Sequence, residues 1–441
     1  MNPAADAVDF DVVISGLGPT GLTLAHLLGK RGRSVLVLER EPEFYGNARA
    51  VYTDDECMRI FQSCDIEEEL AAEMLTDCPV QMLLPDGSIL MQIADSRRPF
   101  GWPPLNFFYQ PYLETRLAEA LGRYPNVRVM RGRETTRFEQ DRDGVIIHHV
   151  ASSTAPVNAS VRARYFVGCD GGRSAVRTQL GVKMAGKSFP NPWLVVDIRE
   201  KERDTALHHL PYFSFVCDPR CPTVSCVQPD GHHRFEFMLM PGQTREYMED
   251  PATVRSHLAK YVDVDRFEIL RSLVYTFNAL IAERWRDGRV FLAGDAAHMT
   301  PQFIGQGMNA GVRDAFNLAW KLDAVLAGSA SDALLDTYQS ERLPHVRNMI
   351  RTAVRMKDFV SMANPVKAFL RNALTRAAMA TPRIGRYLRE GTFIPQPSYA
   401  GGRYFGIPQG IRRSPAGRQL PQPFVKGPGG RGERLDDLLG D

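Results

Sequence analysis

Asp11-Val-Val-Ile-Ser15-Gly16-Leu17-Gly18-Pro19-Thr20-Gly21 is the stretch that decides the fold. Its apolar half is short enough for a buried parallel strand. Three glycines in G-x-G-x-x-G spacing follow at once. A helical pattern then runs through Leu22, Ala25, Leu27 and Leu28 to Gly32, and a second apolar strand, Ser34 to Leu38, ends at Glu39 and Arg40. Strand, glycine turn, helix, strand and terminal acid make one βαβ unit of the dinucleotide-binding kind. Gly16 permits the tight turn, Gly18 lets backbone approach a pyrophosphate, and Gly21 lets the helix lie close to the sheet. Beyond the turn, Pro19 and Thr20 open a helix whose free N–H groups and positive dipole end suit an anion. Glu39 is placed to accept ribose hydroxyls.

Working outward, a second motif narrows the ligand. Gly294-Asp295-Ala-Ala-His298 closes a buried strand, Arg289 to Ala293. Pro301-Gln-Phe-Ile-Gly305-Gln-Gly307-Met308-Asn309 then leads into a long helix, about 306 to 326. An acid at a strand end beside a helix N-terminus can hold a second polyol, such as the ribityl chain of a flavin. A helix dipole there favours the negative charge of a reduced flavin. A third motif, Cys169-Asp170-Gly171-Gly172-Arg173-Ser174, lies between a strand and a helix.

Between these motifs the pattern changes. Hairpins are predicted around Pro85-Asp86-Gly87, Asp141 to Gly144 and Pro229-Asp230-Gly231. Phe235, Phe237 and Leu239 alternate with Arg234, Glu236 and Met238, the period of a sheet with two unlike faces. The expected fold is α/β: a Rossmann-like parallel-sheet domain interrupted by a mostly antiparallel β domain, with C-terminal helices. The first domain takes 1–75, 106–187 and 279–394. The inserted parts are 76–105 and 188–278, and 395–441 reads as a linker-like tail. Residues 351–390 are helical and basic and read as a solvated face. Gly427 to Gly432 repeats the glycine pattern, but with no strand before it and no helix pattern after it.

Taken together, the three motifs resemble the class A flavoprotein monooxygenases, the para-hydroxybenzoate hydroxylase group, over about residues 10–400. The resemblance implies FAD, with NADH or NADPH as a transient co-substrate. It assigns the ADP end to the glycine turn and Glu39, and the shared cofactor path to Asp170 and Gly171. It assigns the ribityl side to Gly294 and Asp295, and the isoalloxazine to the Pro301–Asn309 loop. Arg49 and Gln110 stand where the family has flavin contacts. Further stretches, among them Phe100-Gly-Trp-Pro103 and Asn191 to Ile198, narrow the resemblance to the branch acting on 3-(3-hydroxyphenyl)propionate-like phenolic acids. That branch implies ortho-hydroxylation through a flavin C4a-hydroperoxide. Its members usually carry a further thioredoxin-like domain, of which the tail would be the start. Pro301 resembles the family proline at the flavin edge, and Tyr275 an active-site tyrosine.

Such chemistry needs a dry chamber and a base. Phe213, Phe215, Phe235, Phe237, Met238 and Met240 are candidate walls. Asp54 and Asp55 are candidate bases, with N-capping of the helix from Glu56 as the alternative. His298 is catalytic or structural. Arg199, Arg220 and Arg234 are candidates to meet a substrate carboxylate. The alternative functions are an FAD oxidoreductase that inserts no oxygen and a non-catalytic FAD-binding protein.

Composition bounds the rest. In 441 residues, 54 Lys+Arg against 51 Asp+Glu leave +3, which argues against a nucleic-acid partner. No apolar run is long enough to span a bilayer, and no secretory signal is read. Seven cysteines, an odd count, point to a reducing, cytoplasmic setting. The histidine pairs lack metal-ligand spacing, so no metal is expected. The partners expected are a phenolic small molecule and O2, with a homodimer left open.

Overall fold

The computed structural model describes residues 8–44, 46, 48–151, 158–202, 207, 209–399, 417–426, 430 and 432–440. Its first strand, Phe10–Ser15, is central. Parallel partners flank it on both sides, Val35–Glu39 on one and Asn158–Gly168 on the other. The sheet continues in parallel to Val127–Arg131 beyond the first and to Val290–Leu292 beyond the second. Burial on both faces explains the unbroken apolar runs. Val12, Val13, Ile14, Val35, Leu36 and Val37 are all sealed from water.

Two helices cover this sheet near its centre, Pro19–Lys30 and Gln306–Leu326. They touch through very small residues. A Cβ on Gly311 would sit 2.2 Å from the Thr20 hydroxyl, and one on Gly294 2.6 Å from it. A Cβ on Gly21 would lie 2.1 Å from the Gly16 carbonyl, so the first helix can start against the turn only with glycine there.

A second, seven-stranded sheet is mostly antiparallel. In spatial order its strands are Phe267–Tyr275, Trp193–Glu200, His232–Met238, Thr223–Val227, Phe213–Val216, Val80–Leu83 and Ile89–Ile93. The hairpins at 85–87 and 229–231 join strands of this sheet, and that at 141–144 extends the first sheet. Its two faces differ. Leu194, Val196, Ile198, Phe235 and Phe237 form a dry cluster with Met248, Leu258 and Phe267. The opposite face carries Trp193, Asp197, Phe215, Arg234, Glu236 and Met238.

Two expectations need correction. The tail is not linker-like where it is described. Gln422 is fully buried and donates to the Gln62 and Phe100 oxygens, and Arg59 makes a two-pronged pair with Asp436. Polar side chains, which carry no hydrophobic period, hold this segment. Strands also flank the second glycine pattern: Phe424–Lys426 before it and Gly432–Arg434 after, the latter followed by Leu435–Leu439. Those strands form an antiparallel ribbon, not a βαβ unit. Residues 427–429 and 431 lie outside the described residues.

The basic region is helical as three segments, Thr337–Val360, Pro365–Ala380 and Pro382–Arg389. Its surface is not simply charged. On the middle helix Ala368, Arg371 and Thr375 face inward, while Val366, Phe369, Leu370 and Leu374 are exposed. Among the described residues no helix is long and apolar enough to cross a membrane.

Candidate active site

Parallel strands present all their C-terminal ends at one edge of a sheet. Gly16, Glu39, Cys169–Asp170 and Gly294–Asp295 therefore share one rim. Three strand spacings separate the ends carrying Glu39 and Asp295, roughly 14 Å. One extended dinucleotide can lie along such a rim.

The glycine turn has the geometry of a cradle. Gly16 holds φ +103°, and a Cβ there would lie 2.4 Å from the Cys169 carbonyl. Gly18 is different: a Cβ there would meet nothing within 4 Å. Packing does not require that glycine, so the open space is what it keeps free. It caps the first helix, whose N1 residue is Pro19. Glu39 accepts from Leu17 N–H at 2.8 Å through one oxygen and from Glu41 N–H at 2.9 Å through the other. Arg40 is exposed and pairs with Glu41.

At the other end, Asp295 is half-buried and has no hydrogen-bond partner among the described residues. Burial raises its carboxyl above the ordinary range, against the pull of His298 and Arg49. Gly305, at φ +62°, caps the long helix, and a Cβ on Gly307 would be 4.0 Å from its nearest neighbour, Thr300 O. Asn309 holds the turn by donating to Gly305 O and accepting from the Thr53 hydroxyl, both at 2.9 Å. Met308 packs on the core beside it. Open glycines at two helix N-termini and an unpaired acid between them fit FAD.

Asp170 and Gly171 lie at the middle of the rim. Asp170 accepts from the Ser174 hydroxyl at 2.5 Å and from Val176 N–H at 3.1 Å, which ties the turn to the helix Ala175–Gln179. Gly171 adopts φ +78°, with open space at its Cβ position.

Gln110 and Arg49 meet in one clamp. Gln110 Oε1 accepts from the backbone N–H of Arg49 and Ala50, at 2.6 and 2.7 Å. The carbonyls of the same loop are held from the second sheet. Arg234 donates to Ala48 O and Arg49 O, and Arg271 donates to Ala48 O at 2.6 Å. Asp197 neutralises both guanidiniums, each at 2.6 Å. Arg234 is thus committed to the scaffold. Arg199 and Arg220 are solvent-facing and paired with Glu268 and Asp218. Sequence pattern passed over Arg271, whose Nε and Nη1 are buried without a partner.

Asp54 is the N-cap of the helix Asp55–Gln62, accepting from Cys57 N–H at 3.0 Å. It also accepts from Arg313 at 2.5 Å and Gln306 at 2.9 Å. Burial alone would raise its carboxyl. Arg313 and these hydrogen bonds outweigh that and hold it below the ordinary range. Burial, beside Asp54 and Glu56, pushes Asp55 up to about 8 against the pull of Arg313. His298 is sealed from water and bonds Asp314 at 2.6 Å. Asp314 also accepts from Gly294 N–H at 3.1 Å. His298 thus sits behind the rim, on the same carboxylate that receives Gly294 N–H.

Pro301 is buried and starts the short turn Gln302–Ile304. Through Phe303 that turn packs into an apolar cluster with Trp193, Phe215, Met238 and Phe277, with Tyr275 and Phe213 packed at its margin. Trp193 meets Phe303 edge to face at 5.2 Å. Phe235 and Phe237 lie on the far side of the sheet. Glu236, which sequence pattern did not single out, also lies here. It shares a sheet face with Trp193, Phe215 and Met238, is 4% exposed, and accepts a hydrogen bond from Gln302. Burial lifts it to about 7, against the pull of Arg234. The signal was in the sequence: an acid among phenylalanines at strand period.

The chain's likenesses agree with this geometry. The "FAD binding domain" family matches residues 9–353. A 3-(3-hydroxy-phenyl)propionate/3-hydroxycinnamic acid hydroxylase of Escherichia coli O139:H28 is 39% identical over 430 residues, 97% of this chain and 76% of that protein. The p-nitrophenol 4-monooxygenase PnpA of Pseudomonas putida DLL-E4 aligns with a TM-score of 0.77 at 25% identity, covering 90% of this chain and 99% of that one. The flavin-dependent monooxygenase PieE, in complex with FAD and substrate, shares the fold with a TM-score of 0.82 at 24% identity, over 98% of this chain and 84% of that one. A rim built for FAD and a family match over most of its length place this chain in the FAD-binding domain family, among the flavin-dependent aromatic monooxygenases.

Proposed function

We propose that this protein hydroxylates a phenolic aromatic acid of the 3-(3-hydroxyphenyl)propionate kind, ortho to its hydroxyl, using NADH or NADPH and O2. The observation that carries the reading is the apolar cluster packed against the Pro301 turn, in a chain whose strand-end rim fits FAD. FAD reduced by the nicotinamide co-substrate would activate O2 and supply the electrophilic oxygen. The chain's own residues do the rest. Gly16, Gly18, Pro19, Thr20 and Gly21 would receive the pyrophosphate, Glu39 the ribose and Asp295 the ribityl side. Gly305, Gly307, Met308 and Asn309 would border the ring edge. The Gln110 clamp presents Arg49 toward Asp295. Trp193, Phe215, Met238 and Phe303 would exclude water and sandwich an aromatic ring.

The reading is tested by mixing the FAD-loaded protein with NADH and a panel of phenolic acids. The expected result is NADH oxidation stimulated by a 3-hydroxyphenyl acid, with a product heavier by one oxygen atom. Hydrogen peroxide as the sole product across the panel would overturn it.

A further inference from the structure

The proposed hydroxylation needs a group to take the phenolic proton, and Asp54 is committed to Arg313, Gln306 and Cys57 N–H. Two further carboxylates, Asp197 and Glu236, share a sheet face with Trp193 and Met238, and Asp197 is bound by Arg234 and Arg271. Glu236 sits on the strand His232–Met238, between Arg234 and Met238 on the same face, and its neighbours across the sheet are Val195 and Val224. Gln302 lies next to Pro301 and donates to one carboxylate oxygen, Oε2. The other oxygen, Oε1, has no hydrogen-bond partner among the described residues and is not sealed from water. An acid held from one side by the flavin-facing turn and free on the other has the arrangement of a general base.

We propose that Glu236 is the catalytic base of this site and that its ligand is the hydroxyl of the phenol. The inference rests on the hydroxylase reading above. The phenolic O–H bond breaks, the proton goes to Oε1, and the electron pair stays on the phenolate oxygen, where it raises electron density on the ring. The same carboxylic acid returns its proton to the product oxygen, so the residue ends the cycle as it began. Gln302 is a positioning residue: it fixes the carboxylate and links it to the Pro301 turn.

The charged and titratable groups facing Glu236 are Arg234 on its own strand, Asp197 and Arg271 on the strands beyond, and Cys226 on the other neighbouring strand. Arg234 and Arg271 are both bound to Asp197, so their charge is partly spent before it reaches Glu236. Burial prevails, and the carboxyl titrates at about 7. Turnover should therefore rise with pH through that value as the base loses its proton.

The test compares FAD-loaded wild type with Glu236→Gln, Glu236→Asp and Gln302→Ala, using 3-(3-hydroxyphenyl)propionate and NADH. Glutamine keeps an acceptor oxygen toward Gln302 but cannot take a proton. Glu236→Gln is expected to lower kcat by about 100-fold or more and to abolish the rising pH limb. Aspartate should restore part of the rate together with the limb. Gln302→Ala should keep the limb with a smaller loss. Wild-type turnover and pH profile retained in Glu236→Gln would overturn the inference while leaving the hydroxylase reading intact. A wild type that hydroxylates no phenol would overturn both. Should the glutamine variant fail to retain FAD, Glu236→Asp decides: a full rate with no pH limb overturns the inference.

Discussion

The two faces of the seven-stranded sheet come from the same strands and do opposite things. On one, Phe235, Phe237, Leu194 and Ile198 pack dry against Leu258 and Phe267. On the other, one residue along each strand, Glu236, Arg234 and Asp197 are buried with their charges. The first face follows the rule that apolar area leaves water. The second breaks that rule, since buried ions are costly unless paired. The comparison teaches that stability and chemistry can be carried by alternate residues of one strand, because successive side chains of a strand point to opposite faces.

The hardest way to break the comparison is on the dry face. Phe237→Ala should cost about 3–5 kcal/mol by leaving a cavity, read as a fall in Tm, while turnover per flavin-loaded molecule stays within about twofold. A large loss of turnover would show that the faces are not separate. On the charged face, Asp197→Asn should cost about 3 kcal/mol by leaving Arg234 and Arg271 without a counter-charge. FAD affinity, followed by flavin fluorescence, should fall with it as the loop at 48–49 loosens.

Glu236→Gln sharpens the contrast because its sign is reversed. The carboxyl sits at about 7 when folded and near 4.3 when unfolded, so the folded state holds the extra proton. The penalty is absent below about pH 4, grows as pH rises to about 7, and is constant above that. The variant should thus be more stable than wild type at pH 8, by on the order of 3–4 kcal/mol, with the gap closing toward pH 4. Denaturant melts at the two pH values check this, and a variant destabilised at pH 8 would contradict it. The smallest effect lies away from both faces. Arg59→Ala removes a partly exposed pair with Asp436 and should cost up to about 1 kcal/mol. Proteolysis of the C-terminal segment should speed up with no change in turnover.

Legibility in the sequence followed the range of the interactions. The glycine turn, the strand before it and the helix Gln306–Leu326 were readable because each has a local cause: a required φ, an apolar run, a helical period. The hairpin turns were readable from Pro-Asp-Gly and Asp-Arg-Asp-Gly for the same reason. Asp54 could equally have been a base or a cap. The structure shows the cap together with a pair to Arg313, far along the chain, which no local pattern announces. Arg234 had the right charge for a substrate and was claimed by Asp197 and two loop carbonyls. The tail read as linker because glutamine, arginine and aspartate hold it, and polar contacts leave no periodic trace.

The amino-acid order by itself determined that this chain has a dinucleotide rim and an inserted two-faced sheet, since turn sterics and strand period act between near neighbours. Only the tertiary structure decided which face of that sheet meets the Pro301 turn, and which carboxylate is left with a free oxygen there. Pairing of buried charges is settled by whichever residues the fold brings within about 3 Å, and for Asp54, Asp197 and Glu236 those partners include residues from distant parts of the chain.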